Sequence, residues 1–129
     1  MRLRWKILIC FLGALIVLFI AATIYVFTRE PPPAKIVDAG PTGKRIDSDG
    51  VFGNYFPANG KEAQPAILVL GGSEGGLAID VTRQALALQK SGYNALHLAY
   101  HNAPHKTGKM KNIPVEDFAK ALDLSLIHI

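Results

Sequence analysis

The residues of clearest chemical meaning form a glycine-rich turn, Gly71-Gly72-Ser73-Glu74-Gly75-Gly76. The turn follows the short apolar run Pro65–Leu70 and precedes an amphipathic pattern that is typical of a helix. At such a corner the carboxyl end of a strand meets the free N–H groups of a helix, and anionic groups can be held there. The pattern therefore predicts an α/β fold with its site at this corner.

Charge and cysteine content exclude several classes of protein. The 129 residues carry 14 Lys and Arg against 10 Asp and Glu, and three of the cations (Arg2, Arg4 and Lys6) precede an apolar segment. The remainder is close to neutral and has no basic patch with interleaved aromatic residues, so we expect no nucleic-acid partner. The single cysteine, Cys10, lies within the apolar segment, which excludes a disulfide framework and a thiolate metal site.

The apolar segment Ile7–Phe27 is long enough to cross a bilayer as a helix, because it has 21 residues without a charge. It is longer than the apolar region of a signal peptide, and Ala21-Ala22-Thr23 is followed by more apolar residues rather than by a cleavage site. We therefore expect an uncleaved anchor over residues 1–28 with the lipid bilayer as its partner. The preceding cations place the N-terminus in the cytoplasm and the soluble part outside.

Residues 29–49 are interpreted as a proline-rich polar spacer, because Pro31-Pro32-Pro33 favours an extended chain and the stretch from Asp38 to Asp49 has little to bury. Val51–Phe56 is predicted to be a strand, and Asn59-Gly60 a tight turn that joins it in a hairpin to the next strand. That strand, Ala66–Leu70, is apolar throughout, as expected of a strand covered on both faces.

A helix is predicted from Leu77 to Lys90 and a further strand from Tyr93 to Tyr100, which together give a parallel, right-handed strand–helix–strand crossover. Pro114 suits the first turn of a second helix. The apolar face of that helix is predicted to consist of Val115, Phe118 and Leu122.

A sheet of this size has a large uncovered face, so residues 50–123 are expected to be the N-terminal part of a larger domain. The last six residues, 124–129 (Leu-Ser-Leu-Ile-His-Ile), resemble the translation of a common sequencing-adapter sequence. We therefore expect them to be an artefactual tail.

Four segments together resemble the opening of an α/β-hydrolase, closest to the acyl-CoA thioester hydrolases and the C-terminal domain of bile acid-CoA:amino acid N-acyltransferases. The segments are 50–57 (GVFGNYFP), 65–76 (PAILVLGGSEGG), 92–100 (GYNALHLAY) and 113–118 (IPVEDF). The resemblance covers roughly Val51 to Leu122, and dienelactone hydrolases are similar at a greater distance. It implies an incomplete α/β-hydrolase sheet, made of a hairpin and a βαβ unit, behind a transmembrane helix.

The resemblance also implies a role for the glycine-rich loop. In this family the loop after the third strand supplies a backbone N–H to the oxyanion hole, which here is the N–H of Ser73, with Gly72 as part of the loop. The substrate is then an ester or thioester, and no cofactor or metal is expected. The nucleophile, acid and base of the family match no residue of this chain, so the fragment itself is expected to be inactive.

Other interpretations of the corner stay open. Gly71-Gly72-Ser73-Glu74-Gly75 also satisfies the Gly-x-Ser-x-Gly pattern, which would make Ser73 a nucleophile. The segment Ile67–His101 resembles the first βαβ unit of a short-chain dehydrogenase that binds NAD(P), although Gly71 and Ala78 depart from its glycine pattern. The turn could also be structural, in a non-catalytic membrane fragment.

The histidines and lysines support weaker hypotheses. His97 is predicted to be a structural histidine with a backbone partner, because it lies within a strand. His101 and His105 are placed in a loop at the carboxyl edge of the sheet, where they could be solvated, contact a substrate or, with a third ligand, bind a metal. Lys106, Lys109 and Lys111 are interpreted as a solvated face.

Overall fold

The structure is a computed structural model that describes residues 2–59 and 64–127. The chain divides into two compact units, residues 1–30 and 31–129. The first unit contains helix α1 (Arg2–Thr28). The second is a mixed α/β unit with strands β1 (Lys44–Ser48), β2 (Val51–Phe56), β3 (Ala66–Leu70) and β4 (Asn94–Ala99) and helices α2 (Ile79–Lys90) and α3 (Glu116–Ile127).

Helix α1 is long and apolar enough to cross a membrane, since Leu3–Thr28 spans 26 residues and has a mean hydropathy of 3.0 in its most apolar window. A signal sequence near an N-terminus has the same properties. The large apolar side chains of the helix are exposed, and both of its threonine hydroxyls donate to backbone carbonyls one turn earlier, Thr23 to Phe19 and Thr28 to Ile24. These internal bonds leave no threonine hydroxyl of α1 unpaired in an apolar environment.

The four strands form one open sheet in the order β1-β2-β4-β3. Strand β2 pairs antiparallel with both β1 and β4, whereas β3 and β4 pair in parallel across α2. The predicted strand–helix–strand crossover is therefore confirmed as a parallel pairing. Helix α2 packs on one face of the sheet around Phe56, Val69 and Ala95, and α3 packs on the other around Tyr55, Leu96 and Leu98.

The hairpin of the sheet is made by β1 and β2, so the interpretation of residues 38–49 as part of a polar spacer is wrong. Asp49 and Gly50 connect the two strands with φ values of 52° and 79°, which is the left-handed geometry that twisted hairpins favour. Ile46 of β1 is buried, 7% exposed, against the α3 face of the sheet. Ile46 is the one apolar side chain that β1 contributes to this core.

The predicted hairpin between β2 and β3 is wrong, because β4 lies between them. The connection instead crosses the end of β4, where the Asn94 side chain accepts a hydrogen bond from the Ala58 N–H and donates to the Gln64 carbonyl. Gly60 of the predicted Asn59-Gly60 turn lies outside the described residues.

The predicted cover of β3 on both faces is confirmed, because Ile67 and Val69 pack with α2 and Leu68 packs with α3, although β3 is an edge strand and Leu70 is 44% exposed. The predicted apolar face of the second helix differs from the structure. Helix α3 buries Asp117 and Ala121, while Val115 and Leu122 of the predicted apolar face are 74% and 46% exposed.

An ion pair explains how α3 is oriented. The Lys106 ammonium contacts the Asp117 carboxylate and also donates to the Gly50 carbonyl, and the two side chains of the ion pair are only 6% and 12% exposed. Lys106 is therefore not part of a solvated face. It ties the β1–β2 turn to α3, and this pairing brings Asp117 rather than Val115 against the sheet.

The proline segment, residues 31–37, lies against the glycine-rich loop instead of forming a free spacer. Leu77 N–H donates to the Lys35 carbonyl and Val37 N–H donates to the Leu77 carbonyl, which makes a short parallel bridge. The Val37 carbonyl in turn accepts hydrogen bonds from the side chains of Arg45 and Asn54. The segment is thus joined to both the loop and the β1–β2 hairpin.

His97 is a structural histidine, as predicted, but its partner is a side chain rather than the backbone. It is fully buried in β4, and its Nδ1 lies 3.1 Å from the Thr82 hydroxyl of α2. Burial disfavours the charged imidazolium and lowers the pKa of His97 from 6.5 to about 4. The folded state therefore favours the neutral ring.

This shift predicts a loss of stability in mild acid. Below pH 6.5 the unfolded chain binds a proton at His97, whereas the folded chain binds one there only near pH 4. The free energy of unfolding therefore falls across that window. The full loss attributable to His97 is on the order of 3 kcal/mol. Urea unfolding of the detergent-solubilised chain between pH 7 and pH 5 measures the slope.

The matched variants are His97→Gln and His105→Asn, because His105 is exposed and has a φ of 61° that Asn tolerates. We expect His97→Gln to flatten the pH slope and His105→Asn to leave it unchanged. An unchanged slope in His97→Gln would contradict the assignment.

Candidate functional site

The glycine-rich loop leaves the end of β3 and reaches α2 through a tight turn. Gly75 N–H donates to the Gly72 carbonyl at 3.3 Å, so Ser73 and Glu74 occupy the two central positions of this turn. Gly76 N–H then donates to the His101 carbonyl at 2.9 Å. Helix α2 begins at Ile79 rather than at the predicted Leu77, because Leu77 is engaged in the bridge to Lys35.

The positions that require glycine are Gly75 and Gly76, with φ values of 63° and 61°. A Cβ on Gly75 would lie 2.6 Å from His101 Cε1, and one on Gly76 would lie 2.6 Å from the Ala34 Cβ. A Cβ on Gly72 would meet only the end of the Glu74 side chain, at 3.2 Å. The steric constraint of the loop therefore lies at Gly75 and Gly76 rather than at Gly72.

The loop is held by the two residues that follow β4. The Tyr100 hydroxyl donates to the Gly71 carbonyl at 3.0 Å, and His101 Nε2 lies 3.1 Å from the Gly72 carbonyl. A carbonyl can only accept, so Nε2 of His101 carries the proton of this bond. Both side chains are buried, and their rings meet edge to face at 4.8 Å. We call this pair of hydrogen bonds the carbonyl clamp.

The carbonyl clamp fixes the direction of the Ser73 N–H. The Gly72–Ser73 peptide is trans, so its N–H points opposite to its C=O. Because the Gly72 oxygen is turned toward His101, the Ser73 N–H is turned away from it. Within residues 2–59 and 64–127 no group accepts a hydrogen bond from this N–H. The loop thus presents an oriented donor that has no protein partner in the described chain.

The Ser73 side chain has no activating base. It is exposed, and no hydrogen bond joins its hydroxyl to a histidine in the described part of the chain. The histidine that contacts the loop, His101, has its Nε2 bonded to the Gly72 carbonyl, and its Nδ1 is buried without a partner among the described residues. This arrangement does not supply the serine–base pair that nucleophilic catalysis needs.

The other hypotheses about the histidines also change. His101 is buried rather than solvated, at 1% exposure, and it contacts the loop. His105 is exposed on the following loop. No group of three metal-ligating side chains occurs in the described residues. The predicted strand end placed His101 at the edge of the sheet. The role of its ring, and any role of Tyr100, was missed because only the fold brings them under the loop.

No protein-family model matches this chain, and no curated protein matches it significantly. The chain is a mixed α/β protein with a four-stranded open sheet and an N-terminal helix long enough to span a membrane. The function of the corner therefore has to follow from its own geometry.

The geometry predicts that alanine is tolerated at Gly72 but not at Gly75. Gly75→Ala should lower the free energy of unfolding by about 2 kcal/mol or more, since it combines a left-handed φ with a clash against His101. Gly72→Ala should cost less than about 1 kcal/mol, because the Glu74 side chain can move. Urea unfolding monitored by circular dichroism measures both.

Gly92→Ala separates the cost of a left-handed backbone from the cost of the clash, because Gly92 has a φ of 89° with no atom within 4 Å of the added Cβ. We expect Gly75→Ala to cost more than Gly92→Ala. Equal costs at Gly72 and Gly75 would contradict the described path of the loop.

Proposed function

We propose that this chain is the N-terminal part of a membrane-anchored α/β-hydrolase that acts on an ester or thioester. In this proposal the Ser73 N–H is one donor of the oxyanion hole. The observation that carries it is the N–H itself, which has no protein partner in the described chain and is oriented by the bond between His101 and Gly72. A preorganised donor of this kind stabilises the charge that develops on a carbonyl oxygen during acyl transfer.

The position of the loop in the sheet supports the same proposal. Because β1 is a strand, the run Ala66–Leu70 is the third strand of the domain, and the loop joins it to the first helix after it. α/β-Hydrolases take one oxyanion donor from the loop between those two elements. The nucleophile, its acid and its histidine would then come from residues beyond this sequence, with the soluble part on the outer side of the membrane.

Binding of a dinucleotide is less compatible with the loop. A pyrophosphate at this corner would need several free backbone N–H groups. The N–H groups of Gly75, Gly76 and Leu77 already donate to Gly72, His101 and Lys35. These three N–H groups of the loop are therefore not available to a diphosphate.

Two substitutions of Ser73 test the proposal in the protein encoded by the complete reading frame. Ser73→Ala removes the hydroxyl and keeps the N–H. Ser73→Pro removes the N–H at the first central position of the Gly72–Gly75 turn, where proline suits the backbone. We expect Ser73→Ala to keep most of the turnover of p-nitrophenyl esters. Ser73→Pro should lose about 10²–10³-fold in kcat.

A serine-directed phosphonate probe supplies the control. We expect the probe to label Ser73→Ala as well as it labels the wild-type protein. Loss of both labelling and turnover in a folded Ser73→Ala would instead make Ser73 the nucleophile. Full turnover in Ser73→Pro would show that its N–H is not an oxyanion donor.

A further inference from the structure

A cavity of about 490 Å³ lies between the proline segment and the glycine-rich loop. One side is formed by the proline rings and Ala34, and the other by Ser73, Ala78 and Ile79. Its volume falls within the range of small-molecule sites in proteins. The proposed oxyanion donor does not by itself explain a cavity of this size.

Hydrogen bonds on both sides hold the cavity open. The Asn102 side chain donates to the Pro32 carbonyl at 3.1 Å and to the Glu74 carbonyl at 3.4 Å, so a single amide spans the proline segment and the loop. The bridge between Lys35 and Leu77 joins the same two segments. Both walls are therefore positioned before any ligand binds.

The charges around the cavity give an anion no net attraction. Glu74 and Asp80 line it together with one cation, Lys35. Asp80 is also paired with Arg83 at 3.1 Å along the surface of α2, so the four charges balance. An uncharged aliphatic group can pack against the proline rings, Ala78 and Ile79.

We propose that this cavity binds the acyl chain of an uncharged ester. The proposal rests on the proposed function, because Ser73 belongs to both the cavity wall and the oxyanion loop. An ester whose chain lies between the proline segment and α2 has its carbonyl at the Ser73 end of the cavity. The proline segment is then a wall of the substrate site.

Photo-crosslinking tests this binding without requiring turnover. The full chain is placed in phosphatidylcholine nanodiscs with the methyl ester of a diazirine-bearing fatty acid, and labelled peptides are located by mass spectrometry. We expect labels in residues 31–37 and 73–80. Ile79→Trp and Ala78→Trp should lose most of this labelling because the indole fills the cavity. The free fatty acid should label the same peptides less than its methyl ester does.

Ala87→Trp is the matched control, since Ala87 is exposed on the same helix and does not line the cavity. It should leave labelling of both segments unchanged. Ile79 is 45% exposed, so Ile79→Trp keeps the test valid should Ala78→Trp fail to fold. Labelling that persists in Ile79→Trp, that is confined to α1, or that is equal for the acid and the ester would overturn the proposal.

Comparing labelling with esterase activity in the complete protein separates this result from the proposed function. Labelling without any esterase activity in the complete protein would support the acyl site and reject the hydrolase. Esterase activity without labelling of the cavity would support the hydrolase and reject the acyl site.

Discussion

The bond between the His101 imidazole and the Gly72 carbonyl is the constraint on which the candidate site depends. It holds the carbonyl of one peptide from a residue 29 positions away in the sequence. Together with the Gly75 N–H, which donates to the same carbonyl at 3.3 Å, it gives the Ser73 N–H a fixed direction. The neighbouring bond from Tyr100 to the Gly71 carbonyl restrains the preceding peptide in the same way. A donor fixed before the reaction costs no reorganisation when charge develops on a substrate oxygen.

The rest of the domain keeps His101 in place. Strand β4 lies between β2 and β3, so the residue that follows it emerges under the loop that follows β3. The close approach of the ring is possible because Gly75 has no side chain, and a Cβ there would lie 2.6 Å from the imidazole. Gly76 lets the proline segment approach from the other side, with Ala34 against its backbone. Two glycines therefore bring a strand end, a loop and the proline segment together.

The sequence predicted the elements whose signals are local. Val51–Phe56 and Ala66–Leu70 have the stated bounds, and the parallel crossover follows from the order of β3, α2 and β4. Strand β1 was missed because only Ile46 of its five residues is buried, although Asp49-Gly50 is itself a strong hairpin signal. The hydrogen-bond partners of the buried histidine side chains were also missed. The partners of His97 and His101 come from a helix and a loop that local patterns cannot place beside them.

The central claim is that His101 orients an unpaired Ser73 N–H, and nuclear magnetic resonance of the ¹⁵N-labelled chain measures both halves of it. We predict the Nε2-protonated tautomer of His101, fast solvent exchange at the Ser73 amide and slow exchange at the Gly76 amide, which donates to the His101 carbonyl. His101→Phe should broaden or shift the Ser73 amide signal, and His101→Gln should restore part of it. An Nδ1-protonated His101, or a Ser73 amide as protected as that of Gly76, would contradict the account.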